Sequence, residues 1–433
     1  MMMRNTIFIR RALAPAAALG ALLCGTYFLR GGAVAQPSHA RVAALAPASA
    51  DAFVNSVGAV THFNYRGTPY VEKYQAVADA LVASGIKHIR DGEPGDHHPQ
   101  ALSMLGQRGV HHSALFPVDT TREQILSTLR DYAPYVDFVE PANEWDIKSV
   151  TRPAWADEWR HEQQLLYTTV HSDPADAAIT VVGPAPGRLR LAGQLGALDQ
   201  YEDVGAMHHY PCNLNPGATR SSVSLPAITA IVRQITASKP LWTTEVGYDD
   251  DPEDVRCGLT DAVIAKYAPR LLAERWLAGQ ARTYFYQFSD MGAVHGYDAM
   301  GFVTIDGTPK PQHAALASML HLLSDPGPAF VPAPLAYEIT GASDSVHQLL
   351  LEKRDRTYVL MLWLEVPDWN EATRSAIDIA PQTVSLTLPA VPAHTVRYAY
   401  SSNWKLVPNA VSGHAKTFEI PVSDSISFIE MHF

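Results

Sequence analysis

Of the 433 residues, 47% are hydrophobic and 18% charged, so the chain has enough apolar surface for a large core and is not a disordered protein. A formal net charge of −11 argues against nucleic acid or an anionic membrane surface as partner. The length exceeds one ordinary domain, and an α/β barrel of about 250 residues with a small second domain accounts for it.

Residues 1–35 read as a signal peptide or N-terminal anchor. Arg4, Arg10 and Arg11 precede an apolar stretch from Ala12 to Leu29, and Ala33-Val34-Ala35 supplies the small residues of a cleavage site. The expected destination is the periplasm or the cell exterior. Left uncleaved, the segment would tether the chain to a membrane, although Pro15 and its Ala/Gly content make it a weak span. Residues 36–50 are expected as a linker.

From 51 to 324 short apolar runs alternate with helical patterns, as in repeated βα units. The predicted strands are Phe53–Val60, Ile86–Ile89, Val110–Phe116, Val136–Val139, Ile179–Val182, Val204–Met207, Leu241–Thr244 and Thr283–Tyr286. Eight strands are what a closed (β/α)8 TIM barrel requires. Helical spacing covers Tyr70–Ser84, Arg122–Tyr132, Ala154–His171, Leu225–Ala237 and Asp261–Gly279, and Thr120-Thr121 supplies cap chemistry for the second of these. Beyond a Pro-rich hinge after Leu323, residues 325–433 show strand-like alternation at Val346–Glu352, Thr357–Leu364, Thr383–Leu388, Val396–Tyr400 and Ile426–Phe433. That is the pattern of a small antiparallel β-sandwich.

Cys24 lies in the leader, which leaves Cys212 and Cys257 as disulfide candidates in an oxidising compartment. Two other strings carry the chemistry. Phe138-Val-Glu-Pro-Ala-Asn143-Glu144-Trp145-Asp146 and Leu241-Trp-Thr-Thr-Glu245-Val-Gly247-Tyr248 each run from apolar strand to glutamate to turn. They fall at the carboxyl ends of strands four and seven, the face where barrels of this type place their active sites. Two carboxylates so placed suit cleavage of a glycosidic bond, one protonating the departing oxygen and the other attacking the sugar carbon.

In these residues the chain resembles the clan A retaining glycoside hydrolases, the superfamily that includes families 5, 39 and 51. The resemblance covers roughly residues 53–323. It implies Glu144 as acid/base, Glu245 as nucleophile and Asn143 as donor to the sugar 2-hydroxyl. It also implies Arg90, at the end of strand two, as the cation that keeps Glu245 ionised. Met207-His208-His209-Tyr210-Pro211 is similar to the clan's His-x-Tyr, which implies His208 in the sugar pocket and Tyr210 against the nucleophile. His62 and Asn64 on strand one, Tyr286 and Gln287 on strand eight, and Trp145 are expected to complete the lining. Where many family 5 members present a tryptophan, strand eight ends here in Tyr286-Gln-Phe-Ser-Asp290. No cofactor or metal is expected, and the expected partner is an oligo- or polysaccharide.

Other readings compete. Glu144 could cap a helix, Glu140, which points to the same face as Glu144, could be a buried network partner or the catalytic acid itself, and Arg90 could pair with Asp91 or Glu93. A non-catalytic carbohydrate-binding or matrix protein on a degenerate barrel is one rival. A metal-dependent hydrolase is another, suggested by the His97-His98, His111-His112 and His208-His209 doublets, but adjacent strand residues point to opposite faces. Trp155 and Trp159, four apart, read as helix packing or as a stacking rim. Asp249 to Asp254 reads as a solvated acidic loop or a calcium site.

Overall fold

The computed structural model describes residues 40–433 except 43–44, 93–98, 133, 220, 255–256, 293–295 and 411–414. The leader expected over 1–35 and the His97-His98 doublet therefore lie outside the described residues. Among the described residues no helix is long and apolar enough to cross a membrane.

Eight parallel strands form the central sheet: Val57–Val60, His88–Arg90, His111–Leu115, Val136–Glu140, Thr180–Val181, Gly205–His208, Leu241–Val246 and Gln280–Phe285. Each pairs with its neighbour in sequence, and the eighth pairs with the first through Thr283 and Val57. Between the fifth and sixth strands a single parallel bridge, Val182 to Val204, closes the ring. Phe138, Trp242 and Tyr284 fill its middle with Val60 and Ala206. Period-two alternation then fixes what faces inward. On strand four, Phe138 and Glu140 share the inner face while Val139 packs outward against the helices.

The first strand starts later than its apolar run suggests. Ala50–Asn55 is a helix, capped by the Ser49 hydroxyl accepting from the Ala52 N–H, and it buries Ala50, Phe53 and Val54. Tyr70–Ser84 is two helices, Pro69–Glu72 and Tyr74–Ser84, broken at Lys73. Thr121 and Gln124 exchange side-chain to backbone hydrogen bonds at the start of Arg122–Tyr132, a capping box. Pro99–Gln107 and Pro311–Leu323 are helices that the periodicity did not single out.

The C-terminal region is a sandwich of two antiparallel sheets. One orders Ala40–Val42, Glu338–Ala342, Gln382–Thr387 and Thr417–Val422. The other orders Leu406–Ala410, His394–Tyr400, Ser427–His432, Tyr358–Leu364, Val346–Glu352 and Ala48–Ser49. The segment 36–50, expected as a linker, is thus in part strand, with Ala48 pairing in parallel with Leu351. Its signal was too short to see: two and three residues carry no readable alternation.

Strand Tyr358–Leu364 is buried along its whole length. Leu360 and Leu362 enter the sandwich core, while Val359, Met361 and Trp363 pack on barrel helices Asp261–Leu277 and Pro311–Leu323. Arg270, fully buried at this seam, donates to Glu365 (3.0 Å), Asp368 (2.9 Å) and the carbonyls of Asp424 and Val366. Barrel and sandwich therefore share one apolar core and one buried ion network.

Glu202 is fully buried beside the ring closure, and neither carboxyl oxygen has a hydrogen-bond partner among the described residues. Burial pushes its pKa up to about 8 from the usual 4.5. The unfolded chain releases this proton near pH 4.5, whereas the folded chain holds it to about pH 8, so stability falls as pH rises through that window and levels off above it. Glu202→Gln is expected to flatten this slope and to add roughly 2 kcal/mol near pH 8. Urea denaturation at pH 5 and pH 8 checks it, and an unchanged slope would remove the account.

Candidate active site

Strands two, four and seven each deliver a charged side chain to one point inside the carboxyl end of the barrel. Arg90, the last residue of its strand and 3% exposed, donates from Nε to Glu140 (2.8 Å), from Nη1 to Glu245 (2.7 Å) and from Nη2 to Asn143 Oδ1 (2.8 Å). Burial works against the guanidinium, but the charges of Glu140 and Glu245 outweigh it and raise its pKa above the ordinary value. It stays charged at any working pH. The alternative pairing of Arg90 with Asp91 is not what forms: the Asp91 carboxylate accepts from Thr61, Phe63 and Gly92 instead.

Glu245 is the deeper carboxylate, and burial alone would favour its neutral form. The His208 and Arg90 charges and a 2.6 Å hydrogen bond from the Tyr210 hydroxyl reverse that and hold its pKa below the usual value. Tyr210 is pushed the other way, well above 10, by burial and by the Glu245 charge, so it remains a proton donor.

Glu144 stands at the mouth, partly exposed, in the left-handed region at φ 44° and ψ 45°. Few residues other than glycine sit there without support from their surroundings. The support is visible. Asp146 accepts from the Gly187 N–H (3.0 Å) and the Arg188 N–H (2.6 Å), drawing that loop over Glu144. A Cβ on Gly187 would lie 2.7 Å from the Glu144 carboxyl carbon, so this position admits no side chain without displacing the carboxylate. On the inner side His208 Nδ1 is 2.7 Å from Glu144 Oε1 and 3.5 Å from Glu245 Oε2. One donor atom from each of these three residues lies within 4.8 Å of the others.

A cavity of about 300 Å³ opens over Glu245. His62, Asn64, Arg90, Asn143, Glu144, Tyr210 and Tyr286 all line it, as expected from the sequence. The His62 ring stacks on Tyr65 and meets Tyr286 edge-on, and burial lowers its pKa to about 4, so it is neutral. Because Asn143 accepts from Arg90 through Oδ1, its Nδ2 is the atom left to donate. Thr61, Tyr65 and Asp91 also line the cavity and were missed, since nothing in a loop's composition marks which side chains turn inward. Asp91 is fully buried, and its pKa is pushed up to about 7 by that burial.

Three expected lining residues are placed elsewhere. Gln287 is buried behind the wall, accepting from Tyr70, because the strand end turns it away from the face that carries Tyr286. Trp145 donates to Glu158 (3.0 Å) under the Arg152 guanidinium and packs with Trp155 and Trp159, so all three serve helix packing. His208 reaches both carboxylates from a neighbouring cavity rather than from within this one. His209, on the opposite face as alternation requires, meets Val223 and Arg275.

The acidic run is solvated only in part: Glu253 is exposed, as a solvated loop requires, but the first half of the run turns inward. Asp249 and Asp251 are buried, and Asp250 pairs with Lys310, burial pushing its pKa to about 7. Cys212 and Cys257 are bonded, tying the loop after Tyr210 to the one after Glu245. Among the described residues Glu144, His208 and Glu245 are the group that could share a metal ion. Such an ion would sit beside Arg90, whose charge already serves Glu245, so a second cation there would meet its repulsion.

No family model matches the chain, and no curated protein matches it in sequence. Solved structures do. A family 39 glycoside hydrolase from the gut symbiont Bacteroides cellulosilyticus WH2 matches with a TM-score of 0.59 at 14% identity, over 90% of this chain and 83% of that one. A glucosidase from Croceicoccus marinus gives 0.58 at 12%, over 82% and 91%. A family 51 arabinofuranosidase from Xanthomonas axonopodis pv. citri gives 0.56 at 14%, over 92% and 98%. The chain thus has the fold of these glycoside hydrolases.

Two stability tests follow from the geometry. Arg90→Ala strands Glu140 and Glu245 as buried unpaired carboxylates and is expected to cost about 3–5 kcal/mol, read as a lower urea midpoint at pH 7. A loss under about 1 kcal/mol would mean that the guanidinium is not the keystone. Reducing the disulfide, which closes a 45-residue separation, is expected to cost about 2–4 kcal/mol, measured with and without reductant.

Proposed function

We propose that this protein is a retaining glycosidase that hydrolyses an O-glycosidic bond of an oligo- or polysaccharide. The observation that carries the reading is the asymmetric pair: a buried carboxylate held ionised by Arg90 and Tyr210, and a second, partly exposed at the cavity mouth, with one oxygen of each within 4.8 Å. Retaining enzymes hold their carboxyl groups about 5–5.5 Å apart, whereas inversion needs about 6.5 Å or more to admit a water. The spacing supports double displacement.

In the first step a Glu245 oxygen bonds to the anomeric carbon as the bond to the leaving oxygen breaks, and that oxygen takes the proton of Glu144. In the second, water gives a proton to Glu144 while its oxygen bonds to the anomeric carbon and releases Glu245. Asn143 Nδ2 supplies a hydrogen bond to the sugar, and the neutral His62 and Asn64 accept or donate to its hydroxyls. Export is part of the proposal, and the disulfide supports it, since such bonds persist in oxidising compartments.

Glu245→Ala is expected to lower turnover of activated aryl glycosides at least about a thousandfold, with azide restoring it as a glycosyl azide of inverted configuration. Wild-type rates in that variant would remove the assignment. The readout begins with a panel of aryl glycosides and plant or microbial polysaccharides, product configuration being followed by NMR. Oligosaccharide binding without cleavage would favour a carbohydrate-binding role, and loss of activity with chelator would favour the metal.

A further inference from the structure

Glu365 follows the sandwich strand Tyr358–Leu364 and is buried, yet its carboxylate reaches the segment by which the barrel leaves the active site. Oε1 accepts from the Asn215 side-chain amide and from the Gly217 N–H, both at 2.8 Å. Oε2 accepts from Arg270 Nε (3.0 Å) and Trp363 Nε1 (3.1 Å). A carboxylate offers about four acceptor sites, so these bonds engage it fully: one oxygen faces the loop after strand six and the other faces the seam. Gly217 permits the approach, since a Cβ there would lie 2.7 Å from Glu365 Cγ and 2.9 Å from Glu274 Oε2.

We propose that Glu365 is a positioning residue of the active site, holding the segment that follows Tyr210 and through it keeping the Tyr210 hydroxyl on Glu245. The inference rests on the glycosidase reading above. Strand six ends at His208, and the His209 N–H makes the next bond to strand seven, donating to the Glu245 carbonyl at 2.9 Å. Tyr210 stands beyond that bond. On its near side the chain is held by the ladder and by Arg275 on the His209 ring. On its far side Cys212 is bonded to Cys257, and the Leu214 carbonyl accepts from the Tyr248 hydroxyl at 3.2 Å. Both of these tie one loop to another. Glu365 ties the loop to a helix, because its partner Arg270 lies fully buried in Asp261–Leu277.

The nucleophile feels this through one contact. Glu245 is faced by Arg90, His208, His62, Glu140 and Glu144 as well as by Tyr210. Among these, Tyr210 is the group carried by the segment that Glu365 holds. Burial raises the Glu245 pKa, while the His208 and Arg90 charges and the Tyr210 hydroxyl bring it below the usual value. A hydrogen bond weakens as its distance and angle leave their optimum. Loosening the loop therefore raises the Glu245 pKa and moves the ionisation that the attack needs to higher pH.

The test uses the full chain and the aryl glycoside that the panel identifies, with kcat/KM followed across pH, because its acidic limb reads the ionisation of Glu245 in the free enzyme. Tyr210→Phe sets the scale and is expected to move that limb up by about one pH unit. Glu365→Gln, which can no longer accept at both oxygens, is expected to move it the same way by about half a pH unit and to lower kcat/KM about tenfold. Gly217→Ala forces the loop and the carboxylate apart while keeping Arg270 and Trp363, and is expected to do the same; it carries the test if Glu365→Gln does not fold. In the Tyr210→Phe background neither change is expected to add a further shift. Asp368→Ala loosens the same seam by removing another carboxylate from Arg270, and is expected to lower the urea midpoint and leave the limb in place. An unmoved limb in Gly217→Ala, an additive shift in the double variant or an equal shift in Asp368→Ala overturns the inference and leaves the hydrolase standing. A panel in which no glycoside is cleaved overturns the hydrolase, and the inference with it.

Discussion

One guanidinium organises this site. Arg90 spends three of its donors on three acceptors from strands four and seven and the turn after strand four, and it does so where water cannot compensate any of them. A charge taken out of water is tolerated only when its partners are in place, so the ring, the turn and both carboxylates must assemble together or not at all. Position and charge state come from the same contact. The bond that holds Glu245 in place also keeps it ionised.

Glu144 is governed by a different constraint. Its backbone lies where a side chain is ordinarily disfavoured, its carboxyl fills space that Gly187 leaves open, and Asp146 holds the covering loop by two backbone N–H groups. The two glutamates are thus treated oppositely, one buried among positive and donor groups and the other lifted to a boundary between two cavities. That contrast of environment is what lets like residues take unlike tasks.

Much of this was legible beforehand, for physical reasons that can be named. Strands of a closed parallel barrel are buried on both faces and so appear as apolar runs, which is why all eight were placed and only the first was extended into Ala50–Asn55. Arg90 and Glu245 sit on their strands, where alternation assigns a face, while Asn143, Glu144 and Tyr210 lie in the turns just beyond and were placed by resemblance and chain order. Gln287 and Trp145 also lie in such turns, and there the turn geometry decides; alternation no longer does. Tyr65 and Asp91 come from loops and needed coordinates. The short strand Ala48–Ser49 needed them too, since its partner Leu351 is three hundred residues away.

The strand Tyr358–Leu364 gives its even-numbered side chains to the sandwich and its odd-numbered ones to the barrel helices. No cut between the two regions leaves it with both faces covered. The sandwich is therefore an outer wall of the barrel and not a detachable module: whatever loosens one core exposes the back of the other, and the molecule would melt in a single transition instead of two. A lineage carrying this chain could vary the loops above the barrel freely, but it could not shed or exchange its C-terminal quarter without rebuilding the barrel's outer surface.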